Sequence, residues 1–142
     1  MWPEQIKGAD EMIIGLGTDI VKTERIDNVL KKTPEQFIDR ICSGSEKKYL
    51  QEGNDVATRL AKIWAVKEAA SKALGTGIAQ GVQFKDIELV HDKFGKPELK
   101  FFGRAQEILA TKTEGGKPNI VVSISDDKPF AQAVVIIEKI SC

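Results

Sequence analysis

The stretch Trp64–Ile78, which reads Trp-Ala-Val-Lys-Glu-Ala-Ala-Ser-Lys-Ala-Leu-Gly-Thr-Gly-Ile, decides how the rest of the chain is arranged. Its first eleven residues are rich in Ala, Lys, Glu and Leu, which have high helix propensity. Gly75 then predicts a left-handed C-cap that ends the helix. Glu68 and Lys72 are four residues apart and therefore share one face of this helix. The stretch thus predicts a helix that carries an acid and a base near its C-terminal end.

The loop Gly75-Thr76-Gly77 follows directly after that helix. Its glycines are expected to let backbone N–H groups approach an anionic ligand closely. For the Glu68–Lys72 pair two interpretations stay open. A solvent-exposed ion pair is the more common role at this spacing, and a pair of functional groups beside the loop is the other.

Upstream, the same helix is expected to begin after Asp55, a residue that favours the N-cap position. Its apolar residues follow helical spacing and should face the core. They are Leu60, Ile63, Val66, Ala70, Ala73 and Leu74.

The first predicted element is a strand over Met12–Ile20 with an unusual alternation of residues. Ile14, Leu16, Thr18 and Ile20 fall on one face, and Gly15, Gly17 and Asp19 fall on the other. The glycine face has no side chain before the Asp19 carboxylate, so it admits another backbone or a ligand at close range. The alternative is that the glycines mark a bulge and Asp19 ends the strand.

Three short helices are expected next, and they carry many positive charges. Thr23, Thr33 and Ser43 are their predicted N-caps, the last in a capping box with Glu46. Basic residues occur from Lys22 to Lys48 and form either a solvated charged face or a docking surface for an acidic partner. The candidates for docking are Arg25, Lys31, Lys32 and Arg40.

After Gly81 the pattern changes from helix to strand. Two strands within Phe84–Phe102 flank a hairpin turn with Gly95, and a helix is predicted over Gly103–Thr113. Two further strands lie within Asn119–Ile140, and the second contains an apolar run suited to burial on both sides. This order predicts one α+β domain, residues 12–142, with a mainly antiparallel sheet packed against the long helix. Residues 1–11 are interpreted as an N-terminal extension.

Bulk properties exclude several classes of protein. The 21 basic and 21 acidic residues balance, so net charge does not point to nucleic acid or to a membrane surface. No apolar run has the length of a membrane span, and the N-terminus does not resemble a signal peptide. Cys42 and Cys142 are the only cysteines, too few for a disulfide framework. A cytoplasmic protein is expected.

The chemistry that remains centres on two carboxylates, Asp19 and Glu68. A single histidine, His91, and the absence of a Gly-x-Ser-x-Gly motif argue against a serine hydrolase triad. Two carboxylates with open positions suit Mg²⁺, which completes its coordination with water and phosphate oxygens. Lys72 then neutralises phosphate charge, so the residues permit metal-assisted phosphoryl chemistry.

Two motifs resemble the signatures of holo-[acyl-carrier-protein] synthase, the small bacterial type of 4'-phosphopantetheinyl transferase. They are Ile14-Gly-Leu-Gly-Thr-Asp-Ile-Val21 with Arg25-Ile26, and the stretch Trp64–Ile78. The likeness continues through Gly95-Lys96-Pro97 and Val122-Ser-Ile-Ser-Asp126 and spans residues 12–138. It implies the 4'-phosphopantetheinyl transferase fold.

The resemblance also implies a reaction and its participants. The 4'-phosphopantetheine arm of coenzyme A moves to a serine of apo acyl carrier protein, releasing adenosine 3',5'-bisphosphate and supporting fatty acid biosynthesis. Asp19 and Glu68 would hold Mg²⁺, and Glu68 would act as base for the serine. Lys72 would contact the phosphates, and Gly75-Thr76-Gly77 would line the coenzyme site. The basic residues Arg25, Lys31, Lys32 and Arg40 would dock the acidic carrier protein.

The family is typically trimeric with sites between subunits, and the glycine face of the first strand is a candidate for that close approach. Two positions depart from the family pattern. Val121 stands where many relatives have His, and Ile63 where Arg is usual, so contacts to the coenzyme or between subunits are reduced. A non-catalytic binding module and a structural trimer are the competing functional classes.

Overall fold

The computed structural model describes residues 13–140, so the expected extension over residues 1–11, Met12 and Cys142 lie outside the described residues. The helices are α1 (Thr23–Lys32), α2 (Pro34–Ile41), α3 (Gly44–Gln51), α4 (Val56–Leu74) and α5 (Gly103–Thr113). The strands are β1 (Ile13–Lys22), β2 (Ile87–His91), β3 (Pro97–Phe101), β4 (Lys117–Asp127) and β5 (Phe130–Ile140). None of these helices has the length and apolar character needed to cross a membrane.

The strands form two antiparallel sheets, which confirms the predicted α+β class and the mainly antiparallel pairing. One sheet has the order β1-β5-β4, and the other is the hairpin β2-β3. The hairpin begins later than expected, because Phe84–Asp86 form a 3₁₀ turn before β2. β1 runs on to Lys22, so Asp19 does not end the strand.

Helix α4 is the central element of the core, and it is buried more completely than its predicted apolar stripe. Besides that stripe, Ala61, Ala65 and Ala69 are fully buried. Alanine at these positions lets neighbouring elements approach the helix on several sides. The caps are as expected: the Asp55 side chain accepts a hydrogen bond from the Thr58 N–H at 3.0 Å, and Gly75 is left-handed with φ of 84°.

The glycine face of β1 packs directly on α4 of the same chain. A Cβ atom at Gly17 would overlap the Ala69 carbonyl oxygen and lie 2.7 Å from the Ala73 nitrogen. A Cβ at Gly15 would overlap the Ala73 carbonyl oxygen. The close approach that was expected between subunits is therefore used inside one subunit, where it holds β1 against the last turns of α4.

Replacing Gly17 by Ala should destabilise the protein by about 3 kcal/mol, since overpacking a backbone contact forces strand and helix apart. The loss is measured by urea denaturation. Gly44→Ala is the matched control, because a Cβ at Gly44 meets nothing within 4 Å. Equal stabilities of the two variants would contradict this account of the glycine face.

The opposite face of the three-stranded sheet carries a row of apolar residues that is partly exposed in the single chain. Leu16 pairs with Ile136, which pairs with Val121, so three apolar residues cross the sheet in one row. Leu16 is 61% exposed and Val121 is 46% exposed. In β5 only one face is fully buried, at Ala131, Ala133, Val135 and Ile137, and not both faces as its apolar run predicted.

The N-caps of α1, α2 and α3 agree only in part with those predicted from the sequence. Thr23 does not cap α1: it is the first helical residue, and its N–H and hydroxyl both donate to the Pro129 carbonyl. Thr33 occupies the N-cap of α2, but its side chain makes no capping hydrogen bond. The capping box of Ser43 and Glu46 is present as predicted.

Candidate functional site

Strand β1 and helix α4 bring Asp19, Glu68 and Lys72 together. The Lys72 Nζ donates to Asp19 Oδ1 at 3.1 Å and to the Thr18 carbonyl oxygen at 2.9 Å. Asp19 is thus the ion-pair partner of Lys72 in the part of the chain that the structure describes, and an ion pair of Glu68 with Lys72, one of the two interpretations left open, does not form there. The close packing at Gly17 places the Asp19 carboxylate within reach of the helix.

The Glu68 carboxyl is half-buried and lies in an unfavourable setting for its charged form. Burial and the negative charge of Asp19 raise its pKa above the ordinary glutamate value, while the Lys72 ammonium lowers it in part. The two carboxylates are therefore close enough to repel each other. A carboxyl with a raised pKa is a better proton acceptor than an ordinary one.

These two carboxylates suit a magnesium ion that is also coordinated by water and substrate better than they suit a metal ion whose ligands all come from the protein. Among residues 13–140, no group of three or more His, Cys, Asp or Glu side chains is arranged to hold a metal. Mg²⁺ commonly takes one or two carboxylates and fills its other positions with water and substrate phosphates. The repulsion between Asp19 and Glu68 is what a bound cation would relieve.

The loop Gly75-Thr76-Gly77 differs from expectation, because its N–H groups are already occupied. The Gly75 N–H donates to the Lys72 carbonyl, and those of Thr76 and Gly77 donate to the Ser71 carbonyl at 3.2 and 3.1 Å. The Thr76 hydroxyl donates to the Gly77 carbonyl. They satisfy the carbonyls at the end of α4, so the loop offers open surface but no free N–H at these three residues.

The two departures from the family pattern occupy different environments. Val121 lines an open groove of about 400 Å³ between β3 and β4, together with Lys96 and Pro97. Ile63 is fully buried in α4. The apolar side chain at position 63 thus adds to the core, whereas Val121 lies on a surface that a ligand can reach.

The predicted docking residues lie on α1 and α2, apart from the carboxylate pair on β1 and α4. Arg25 and Lys32 are exposed. Lys31 forms an ion pair with Asp27 at 3.1 Å. The Arg40 guanidinium lies 5.9 Å from the centre of the Phe84 ring.

Sequence reasoning missed the buried ion pair of Glu46 with Lys67, the residue that precedes Glu68 in α4. The Lys67 Nζ lies 2.7 Å from Glu46 Oε1, and both side chains are almost completely buried. The capping box identified Glu46, but nothing local indicated that it also pairs with a lysine 21 residues away. His91 is exposed as expected and stacks on Tyr49, with 4.9 Å between ring centres.

Comparisons with known proteins agree with this geometry. The sequence profile of the 4'-phosphopantetheinyl transferase superfamily matches residues 15–128. A holo-[acyl-carrier-protein] synthase of Vibrio cholerae is 48% identical over 128 residues, which cover 90% of this chain and 99% of the relative.

Solved structures of holo-[acyl-carrier-protein] synthases are also similar to this chain. The holo-[acyl-carrier-protein] synthase of Neisseria meningitidis superposes with a TM-score of 0.78 at 38% identity, covering 90% of this chain and 100% of that one. The Bacillus anthracis synthase, solved in complex with CoA (3',5'-ADP), gives a TM-score of 0.73 at 35% identity, covering 90% and 98%. The chain therefore belongs to the 4'-phosphopantetheinyl transferase superfamily, with holo-[acyl-carrier-protein] synthases among its relatives.

Proposed function

We propose that this protein is a holo-[acyl-carrier-protein] synthase, which transfers 4'-phosphopantetheine from coenzyme A to a serine of apo acyl carrier protein. The observation that carries the proposal is the meeting of Asp19, Glu68 and Lys72 where β1 packs on α4. Family membership supplies the reaction class, and a relative at 35% identity was solved with CoA (3',5'-ADP).

In the proposed reaction, the serine hydroxyl oxygen attacks the β-phosphorus of coenzyme A. A new oxygen–phosphorus bond forms, and the bond from that phosphorus to the bridging oxygen breaks, releasing adenosine 3',5'-bisphosphate. Glu68 accepts the serine proton, directly or through one water. Lys72 places its ammonium on the phosphate oxygens, where charge develops as the bond breaks.

Asp19 and Glu68 would hold Mg²⁺, which neutralises pyrophosphate charge when bound. Lys72 pairs with Asp19 in the chain alone, yet its side chain is 51% exposed, against 16% for Asp19. We infer that the flexible lysine turns from Asp19 toward the phosphates when coenzyme A binds. Gly75-Thr76-Gly77 would line the coenzyme site through its exposed backbone surface, since its N–H groups are used within the helix cap.

The reaction is tested by incubating the protein with apo acyl carrier protein, coenzyme A and MgCl₂, and weighing the carrier by mass spectrometry. We expect the carrier to gain the mass of phosphopantetheine. Binding of coenzyme A without any mass gain under several divalent metals would instead indicate a binding module.

The carrier protein is proposed to dock on the basic residues of α1 and α2, namely Arg25, Lys31, Lys32 and Arg40. Carrier proteins of this type are acidic, and opposite charges steer association and fix orientation. Arg25 is exposed and lies in the first turn of α1, which directly follows β1, the strand that carries Asp19.

Arg25→Glu should raise KM for the carrier protein about tenfold and leave KM for coenzyme A unchanged, because it places a like charge in the docking surface. Steady-state kinetics with each substrate varied in turn measures this. Lys117→Glu is the control, because Lys117 lies at the end of β4 that is away from α1. The other end of β4, at Asp127, leads into the β4–β5 turn, which contacts α1 through Thr23. Equal effects of the two reversals would contradict the proposed dock.

We further propose a homotrimer with active sites between subunits. Support comes from the apolar row of Leu16, Ile136 and Val121, in which Leu16 and Val121 are exposed and Ile136 is half-buried, since exposed apolar patches mark interaction surfaces. Light scattering should give three times the 15.6 kDa chain mass. A monomer that is fully active would contradict this assembly.

We also propose limits for the transferase domain and a cytoplasmic location for the protein. Residues 12–142 would form the transferase domain, and residues 1–11 an N-terminal extension. A chain beginning at Met12 should therefore keep full activity. A cytoplasmic location is tested by cell fractionation.

A further inference from the structure

Helix α5 ends beside the loop Gly75–Gly77 and places a lysine against it. A Cβ atom at Gly75 would lie 2.9 Å from the Nζ of Lys112, so this ammonium rests on the left-handed cap of α4. Lys112 lies in the last turn of α5, and its residue is exposed. Within residues 13–140, no carboxylate lies within 4.0 Å of it.

The donors of the Gly75–Gly77 loop and of Lys72 already have partners. The N–H groups of Gly75, Thr76 and Gly77 donate hydrogen bonds to carbonyl groups at the end of α4. Lys72, the cation on the other side of the last helical turn, is paired with Asp19. Lys112 is thus a positive charge beside the loop that no described carboxylate neutralises, and solvent is its remaining partner.

We propose that Lys112 is a binding residue for coenzyme A and contacts one of its phosphate groups across the Gly75–Gly77 loop. The inference rests on the proposed function, because it assumes that coenzyme A lies along this loop. A lysine serves phosphate as a point charge with three donors and needs no fixed geometry. Coenzyme A has a pyrophosphate and a 3'-phosphate, and either offers this chemistry.

A purely structural role makes a different prediction. A cation at the C-terminal end of α4 stabilises the helix through its dipole. Removing it would then lower the melting temperature and leave coenzyme A affinity unchanged. A phosphate contact instead predicts an unchanged melting temperature and a lower affinity for coenzyme A, with the loss of affinity largest at low salt.

Isothermal titration calorimetry with MgCl₂ tests the proposal on wild type, Lys112→Met, Lys112→Arg and the matched control Lys48→Met, which removes an exposed lysine of α3. Coenzyme A and dephospho-coenzyme A, which lacks the 3'-phosphate, are the two probes. Lys112→Met should raise Kd for coenzyme A about tenfold, as expected for one exposed charge-assisted contact. Lys112→Arg should recover most of the affinity, and Lys48→Met should bind as wild type does.

The two probes separate the two phosphate groups. A loss with coenzyme A alone assigns the contact to the 3'-phosphate, and a loss with both probes assigns it to the pyrophosphate. Unchanged affinity of Lys112→Met for both overturns the inference, as does an equal loss in Lys48→Met. Wild-type protein that fails to bind coenzyme A at all would overturn the proposed function instead.

Discussion

Glu68→Gln should lower the rate of phosphopantetheine transfer about 1000-fold and at the same time raise the stability of the protein slightly. The amide cannot accept the proton of the attacking serine, and general-base catalysis contributes roughly 10²–10⁴ in rate. It also removes one of the two carboxylates proposed for Mg²⁺. The rate is measured as the mass gain of carrier protein with time.

The gain in stability follows from the sign of the pKa shift. Burial and the Asp19 charge raise the pKa of Glu68, so the folded protein binds this proton more tightly than the unfolded chain does. The charged carboxylate therefore destabilises the fold at every pH above its titration range, including pH 7. An amide of the same shape removes that cost, and the gain in the free energy of unfolding should be small because solvent screens this half-exposed group.

The pairing of lost activity with gained stability distinguishes a functional carboxylate from a structural one. Glu52→Gln, at an exposed position after α3, should change neither quantity. The stability gain of Glu68→Gln should disappear as the pH falls below the ordinary glutamate range, where the Glu68 carboxyl is protonated in both the folded and the unfolded chain and no longer carries the cost of a buried charge. Retention of more than about a tenth of the activity by Glu68→Gln would exclude Glu68 as the base.

Local signals in the sequence predicted the elements of this fold well. Asp55 and Gly75 bound α4 as expected, and the capping box placed α3, because a cap depends on residues within one turn. Thr23 shows the limit of such signals. It has the chemistry of a cap, but the Pro129 carbonyl, 106 residues away, takes its hydroxyl.

The candidate site could be predicted only in part from the sequence, because it too depends on contacts between residues that are far apart in the chain. Spacing placed Glu68 and Lys72 on one helix face and left open whether they pair with each other or serve as functional groups. Lys72 instead pairs with Asp19, 53 residues earlier, because the glycine face of β1 lets that strand lie directly on the helix. The glycines were conspicuous in the sequence, but their partner, the backbone of α4, could be named only from the fold.

The orientation of α4 depends on the buried pair that the sequence did not reveal. The Lys67 Nζ donates to Glu46 Oε1 at 2.7 Å and to the Ile41 and Phe84 carbonyls at 2.5 and 3.0 Å. All three ammonium protons are thereby used. This lysine joins α4 to the end of α2, to α3 and to the turn before β2.

Glu46 completes the same network with its remaining acceptors. Its Oε1 also accepts the Ser43 N–H at 2.8 Å, and its Oε2 accepts the Leu89 N–H at 2.9 Å. The pair is therefore fully hydrogen-bonded in a region without solvent. Lys67 precedes Glu68 in the chain, so fixing Lys67 also fixes the rotation of the helix that presents Glu68 and Lys72.

Lys67→Met should therefore destabilise the protein by about 4 kcal/mol, because it leaves the Glu46 charge buried without its partner. Urea denaturation measures the loss, and Lys62→Met is the control on the same helix. Lys62 pairs with Asp126 at 2.6 Å, but it is 26% exposed, and we expect less than about 1 kcal/mol there.

The double variant Lys67→Met/Glu46→Gln tests whether the cost comes from the unpaired charge. The amide that replaces the Glu46 carboxylate would be neutral and could still accept one backbone N–H, so the double variant should be more stable than Lys67→Met alone. If Lys67→Met folded as stably as wild type, the pair would not hold α4 in place. A double variant that regains stability but transfers slowly would mean that the fold tolerates a neutral pair, whereas the reaction needs the helix in the orientation that the ion pair sets.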